Sequence, residues 1–223
     1  MSKDFPFTKY DFYAYLTSGL LLFFACDLIY NNAELFFRDD WSFIASAAVV
    51  AAAYALGQII AIPSSLVIEH LVVGKVIAKP IAVQLAESTS WYQKVLGFSV
   101  GRYYQPFSRS MRELVMAKAK KKLDIPSEQN IKDTEDIFQV AYTVARKDED
   151  VRTRLDDFRN QYGFARNLTF VTLLIILLMY AENVLTWDIF ALFTILAILF
   201  FLRFLKFLSA YHAEVVRTFA YSE

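Results

Sequence analysis

The chain has 223 residues, of which 57% are hydrophobic and 17% aromatic, and its formal net charge is zero. That apolar share exceeds the usual value for a soluble domain, and the balanced charge excludes an argument from overall basic or acidic character. The single cysteine, Cys26, excludes an intramolecular disulfide. The two histidines have no neighbouring cysteines at zinc-ligand spacing, so we expect no metal site.

Four apolar stretches meet or approach the roughly 20 residues that a helix needs to cross a bilayer. They are residues 12–30, 42–62, 167–180 and 187–207. Pro63 predicts that the second span ends near Ile62, followed by a kink or a new interfacial helix. Tyr30, Trp41 and Trp187 at the proposed ends are typical of an interfacial aromatic belt. We therefore predict an all-α polytopic membrane protein with four transmembrane helices.

The basic residues predict the orientation of these helices. The connections 31–41 and 181–188 hold one basic residue, Arg38, and the other 22 of 23 lie in the two ends of the chain and the middle segment. Lys and Arg favour the cytoplasmic side. We expect both termini and the middle segment in the cytoplasm, and the protein in the cell inner (plasma) membrane.

The middle segment, residues 75–166, holds 17 basic and 12 acidic side chains. Its sparse glycine and proline predict helices rather than a flexible linker. The unusually aromatic residues 91–104 suit a helix that lies on the membrane or packs under the bundle. Residues 109–123 predict a second helix, and Asp133 or Thr134 is the expected cap of a third that reaches Lys147.

The most regular pattern follows at Val151, Leu155, Phe158 and Tyr162, whose spacing of 4, 3 and 4 is a heptad seam. No proline separates this seam from the third span, so one helix is expected from about Glu149 to Tyr180. The fourth span is likewise expected to continue to about Phe219. Such helices either transmit motion between cytoplasm and membrane or form a rigid stalk.

These elements divide the chain into five parts. We expect a cytoplasmic tail over 1–11, two spans with an interfacial extension over 12–74, a helical cytoplasmic module over 75–166, two spans over 167–208, and a cytoplasmic helix extension over 209–223.

No catalytic constellation is present in the sequence. Glu69 and His70 are adjacent, so on a helix they point in different directions and suit interfacial anchoring. Phosphate-binding glycine loops, nucleophile elbows and HExxH motifs are all missing. We expect no enzyme activity and no cofactor.

Polar side chains inside the spans are more informative, because such groups are costly at membrane depth and usually face a bundle interior or a water path. Thr17, Ser18, Asp27 and Gln58 are the candidates for lining a pore. Ala45, Ala48, Ala52 and Ala55 form a stripe of small side chains on the second span, which allows close helix contact. Tight packing joined by an amide is the alternative.

Lys118, Lys120, Lys121 and Lys122 form the densest basic run. An anionic lipid headgroup or a nucleotide would be attracted to it, and a solvated helix face is the alternative. No aromatic residue interrupts the run, so we predict no specific recognition of nucleic acid.

In outline the chain resembles the small prokaryotic membrane effectors of antiviral defence systems. These have a few spans, almost no outer loops and a compact helical cytoplasmic part, and several form oligomeric pores that depolarise the membrane on a cytoplasmic signal. The resemblance implies a homo-oligomeric pore or channel-like effector, with a cytoplasmic partner or nucleotide as signal. A membrane scaffold or anchor for a soluble cytoplasmic partner is the alternative. The resemblance assigns no residue.

Overall fold

The structure is a computed structural model that describes residues 11–126 and 134–222. The predicted tail over 1–11 therefore lies almost wholly outside the described residues, as do the loop that follows Pro126 and its proposed cap Asp133. Within the described residues every regular element is helical, and the predicted all-α class is confirmed.

The α-helices in chain order are α1 (Thr17–Asn31), α2 (Phe43–Ser64), α3 (Pro80–Leu85), α4 (Trp91–Val100), α5 (Arg109–Leu123), α6 (Thr134–Ala145), α7 (Glu149–Ala181) and α8 (Trp187–Tyr221). Two π-helical segments, Asp11–Leu16 and Ser65–Ile77, and one 3₁₀ turn, Arg102–Tyr104, complete the described elements. The predicted uninterrupted helices are confirmed as α7 and α8. The predicted helix over 109–123 is confirmed as α5.

Four helical segments are long and apolar enough to cross a membrane, which agrees with the predicted number of spans. They are Ala14–Asn31, Phe43–Leu85, Glu149–Ala181 and Trp187–Tyr221.

The helix α2 ends at Ser64, two residues after the end near Ile62 that was predicted for the second span. The chain stays helical through Pro63 to Ser64 and then continues as the π-helix Ser65–Ile77. Proline removes only one backbone donor, whereas ending a helix in apolar surroundings would leave several carbonyls without partners. The wider hydrogen-bonding pattern persists to the end of the segment, where the Ala78 N–H donates to the Val73 carbonyl at 3.0 Å.

The chain divides into two compact units. The first comprises Met1–Val72 and Gly163–Phe204, and the second comprises Val73–Tyr162 and Leu205–Glu223. In the first unit, α1, α2 and residues 163–181 of α7 share one core. Its buried members are Leu22, Ala25, Ile60, Val171, Ile175 and Met179.

The α1–α2 contact is made through glycine. A Cβ added at Gly19 would lie 1.7 Å from the carbonyl oxygen of Ala53, and one added at Gly57 would lie 1.9 Å from that of Tyr15. The two backbones therefore touch directly, as small residues permit. The alanine stripe, predicted to allow close helix contact, does not make this one and is largely exposed.

Enlarging Gly57 should therefore destabilise the first unit in proportion to the added volume. We expect Gly57→Ala to lower the free energy of unfolding by about 1–3 kcal/mol and Gly57→Val to lower it further, because the helices must separate. Denaturant unfolding in detergent micelles measures the effect. Ala47→Val is the control, since it adds atoms on the exposed side of the same helix. Equal effects of Gly57→Val and Ala47→Val would contradict the close contact.

The second unit has its own core, formed by α3, α5, α6, the start of α7 and the end of α8. Its buried members are Ile81, Met111, Val115, Ala119, Ile137, Ala141, Ala145, Val151, Leu155, Val215, Val216, Phe219 and Ala220. The fully buried amide of Gln84 donates to the carbonyls of Tyr103 at 2.8 Å and Ser209 at 2.9 Å. The short helix α3 is thereby joined to α8.

The heptad seam lies against this core. Val151 and Leu155 are buried, Phe158 and Tyr162 are half-buried, and the Tyr162 ring meets that of Tyr211 edge-to-face at 5.8 Å. The seam packs against helices of its own chain, so no second copy is needed to cover Val151 and Leu155.

Candidate functional site

Two of the four predicted pore-lining residues direct their polar atoms into the protomer. Ser18 is fully buried, and its hydroxyl donates to the Ala14 carbonyl at 2.6 Å. Asp27 is 3% exposed, and its carboxylate accepts from the backbone N–H groups of Leu35 at 3.1 Å and Phe36 at 3.2 Å. Asp27 thus holds the turn that follows α1. Because these groups are already hydrogen-bonded inside the unit, Ser18 and Asp27 have less capacity to line a pore than exposed side chains have.

The other two, Thr17 and Gln58, are exposed on the surface of the first unit. The Gln58 amide nitrogen donates to the Tyr54 hydroxyl at 2.9 Å, one turn earlier on α2. Tyr15 meets Gly57 across the antiparallel α1–α2 contact. At the rise of about 1.5 Å per residue, Thr17 and Gln58 therefore lie within about one helical turn of each other along the bundle.

Gln58 continues a line of small exposed side chains on α2. We call Ala48, Ala51, Ala52, Ala55 and Gln58 the alanine face, and all five are exposed. The spacing from residue 48 to 55 to 58 follows one side of an α-helix. Gln58 is thus an exposed amide on a helix apolar enough to cross a membrane, and its exposed neighbours Ala55, Ile59 and Ile62 are apolar.

The first unit also holds an ion pair, between buried Arg166 and half-buried Glu69, that the sequence did not predict. The Arg166 guanidinium donates to the Glu69 carboxylate at 2.8 Å and to the Asn167 side-chain oxygen at 3.4 Å. Asn167 in turn donates to the Ala14 carbonyl at 3.4 Å. Arg166 is 8% exposed and Asn167 is fully buried. We call Glu69, Arg166 and Asn167 the polar cluster; it joins the π-helix to α7.

The sequence contained a signal for this pair. Arg166 immediately precedes an apolar span, where a charged side chain is expected to pair with an opposite charge. Glu69 lies 97 residues earlier, so no local spacing connects the two. Glu69 and His70 were expected to anchor the helix at the interface. Glu69 pairs with Arg166 instead. For His70, which is exposed and whose Nδ1 lies 3.2 Å from the Ser65 carbonyl oxygen, anchoring stays a prediction.

The lysine run does not converge on one site. The Lys118 ammonium donates to the carbonyl and, at 3.0 Å, to the hydroxyl of Ser222, and it lies 5.5 Å from the centre of the Phe219 ring. Lys118 thus holds the end of α8. Lys120 is half-exposed, and only Lys121 and Lys122 are fully presented to solvent.

No protein-family model, curated protein or solved structure matches this chain. Among residues 11–126 and 134–222, no three His, Cys, Asp or Glu side chains come together as a metal site. The alanine face and the polar cluster are therefore the features of the first unit that bear most on function.

Proposed function

We propose that the chain is the subunit of a homo-oligomeric pore or channel-like effector in the cell inner membrane, controlled from the cytoplasm. The observation that carries the proposal is the exposed amide of Gln58 in the alanine face of a helix that can span a membrane. A lone protomer would place this amide against lipid, where unsatisfied polar groups cost several kcal/mol.

The alanine face suits contact with another copy rather than with lipid. Exposed positions of α8 carry large side chains such as Leu192, Ile195 and Leu199, which suit acyl chains. Between the exposed Ile44 and Ile59, the methyl groups of the alanine face would let a neighbouring backbone approach closely. A primary amide offers two N–H donors and a carbonyl acceptor, and the bond to Tyr54 uses one donor. The rest of its capacity would serve a neighbouring copy or water.

A conducting route would lie between copies. The interior of the first unit is filled by its own core, and Ser18 and Asp27 are engaged there. Of the four lining candidates, Thr17 and Gln58 are the two at the surface of the first unit. The cytoplasmic control and the oligomeric pore follow the outline shared with membrane effectors of antiviral defence.

Gln58→Leu should reduce conduction without reducing the amount of protein in the membrane. In proteoliposomes loaded with a potential-sensitive dye, we expect the triggered leak to fall at least about tenfold, because an ion in bare hydrocarbon has a very large solvation cost. Gln58→Asn should keep much of the leak. Ile62→Leu, an exposed change one turn further along α2, is the matched control.

Cross-linking separates the pore from its alternative. In a Cys26→Ala background, Ala55→Cys should form disulfide-linked dimers in the membrane, whereas Leu199→Cys on the lipid-type face of α8 should not. Liposomes that stay tight under every trigger, together with a soluble protein that co-purifies stoichiometrically, would replace the pore by a membrane scaffold.

The proposed orientation has its own test. A fusion at Glu223 and a cysteine label at Asn130 should report the cytoplasm, and a label at Asn32 should report the outside. The basic residues give this result by the positive-inside rule. Labelling of Asn130 only from outside would reverse the orientation.

A further inference from the structure

An unpartnered apolar ridge lies on α4 in the second unit. Trp91, Val95 and Phe98 are 77%, 57% and 91% exposed. Their spacing of four and three residues places them on one side of the helix. We call these three residues the α4 ridge. Single exposed apolar residues are ordinary, but an aligned set with two large aromatic rings marks an interaction surface.

The fold holds this ridge outward. Ser90 and Gln93 form a capping box that begins α4. On the opposite side Gly97 and Val100 are buried, and a Cβ added at Gly97 would lie 2.9 Å from the Tyr104 carbonyl oxygen. The helix therefore lies tightly on the turn that follows it, and its apolar side cannot rotate inward.

That turn is itself fixed. Tyr104 is fully buried, and its hydroxyl donates to the Ala78 carbonyl at 3.1 Å. Burial raises the pKa of the Tyr104 hydroxyl, so it stays a protonated donor over the physiological range. The platform beneath α4 is thus part of the packed unit.

The charge around the ridge identifies its partner. Residues 87–113 contain four basic side chains and two acidic ones, Glu87 and Glu113 at the two ends. Arg109 pairs with Glu113 and Arg112 bonds to the Ala86 carbonyl, whereas Lys94 is exposed on α4 within one turn of Trp91 and Phe98, and Arg102 is exposed just after the helix ends. A symmetric contact between two copies would bring these like charges together, which is unfavourable. Anionic headgroups over an apolar layer match both the charges and the rings.

We propose that the α4 ridge docks in the plane of an anionic lipid bilayer, with Trp91, Val95 and Phe98 in the acyl boundary and Lys94 and Arg102 at the headgroups. This is the pattern of an interfacial amphipathic helix. The chain that carries α4 also carries four helical segments that are long and apolar enough to cross a membrane. The docking is independent of whether the protein conducts.

Environment-sensitive labelling of the full chain tests the docking. In a Cys26→Ala background, an NBD probe at Val95→Cys is compared with one at Leu114→Cys, an exposed position of α5 in the same unit. The protein is placed in nanodiscs of neutral lipid or of neutral lipid with phosphatidylglycerol. We expect blue-shifted emission and quenching by doxyl-labelled lipid at residue 95 only, stronger with the anionic lipid.

Substitutions then separate the two contributions. Trp91→Ser with Phe98→Ser should abolish the quenching in both lipids. Lys94→Gln and Arg102→Gln should each lower the ratio of the docking equilibrium constants in anionic and neutral nanodiscs about fivefold. One charge near an anionic surface contributes about 1 kcal/mol. Lys121→Gln, on an exposed lysine of α5, is the matched charge control. Unchanged circular dichroism would show that these surface variants fold.

Three results would overturn the proposal. The probe at residue 95 could report water in every nanodisc. Its blue shift could require a second copy in the same disc, which would assign the ridge to self-association. Its quenching could be equal with Lys121→Gln and Lys94→Gln, which would remove the charge argument.

Discussion

Replacing Arg166 with leucine should lower the free energy of unfolding by about 2–3 kcal/mol, because it removes the buried partner of an ion pair whose carboxylate, that of Glu69, is 29% exposed. The Arg166 guanidinium is the charged partner of Glu69, and its side chain is only 10% exposed. Its loss would leave the Glu69 carboxylate uncompensated beside an apolar bundle. Denaturant unfolding of the purified protein in micelles measures the loss.

The double variant Glu69→Leu with Arg166→Leu should be more stable than Arg166→Leu alone, because the half-buried Glu69 carboxylate is then not left without its partner. Arg109→Leu is the control. It removes an ion pair whose side chains are 86% and 64% exposed, so its effect should stay below about 1 kcal/mol. If Arg166→Leu and Arg109→Leu unfold alike, the Glu69–Arg166 pair does not stabilise the protein.

Leu155→Asp should destabilise the second unit by about 4 kcal/mol or more, because it removes a buried aliphatic side chain and puts a carboxylate in its place. Leu155 is 3% exposed in a core that also contains Val215 and Phe219. Phe158→Asp should cost less, since Phe158 is half-buried. Protease susceptibility and thermal melting of the second unit measure both.

Two controls isolate the packing effect of Leu155. Leu155→Met keeps the volume and should cost less than about 1.5 kcal/mol. Thr153→Asp places the same charge on the exposed side of α7 and should leave melting nearly unchanged. Unaltered melting of Leu155→Asp would mean that the seam faces solvent or lipid.

Periodicity and hydropathy predicted those parts of the fold that depend on local pattern. The number of helices able to span a membrane, the bounds of α5 and the uninterrupted α7 follow from spacing along the chain. The Gly19–Gly57 contact and the Glu69–Arg166 pair do not, because each joins residues far apart in sequence. A glycine or a charge shows that a partner is needed without showing which residue supplies it.

The candidate site shows the same division. Four polar residues within the predicted spans were equivalent candidates by position and chemistry. The structure separates Ser18 and Asp27, whose neighbours satisfy them, from Thr17 and Gln58, which are exposed. The sequence could not show which candidates are buried, because burial depends on which sides of α1 and α2 face each other. The predicted alanine stripe is exposed, and Gly57, on another side of α2, makes the contact with α1 instead.

The core of the second unit has a consequence for biosynthesis. It combines Ile81, in the first half of the chain, with Ala220 near the end of the described residues. The Gln84 amide donates to the Ser209 carbonyl, 125 residues later. Contacts of such wide sequence separation form late. The ribosome therefore releases α3, α5 and α6 before the helix that closes over them exists. During translation these helices expose the apolar sides that α8 later covers, a period in which chaperone protection matters most.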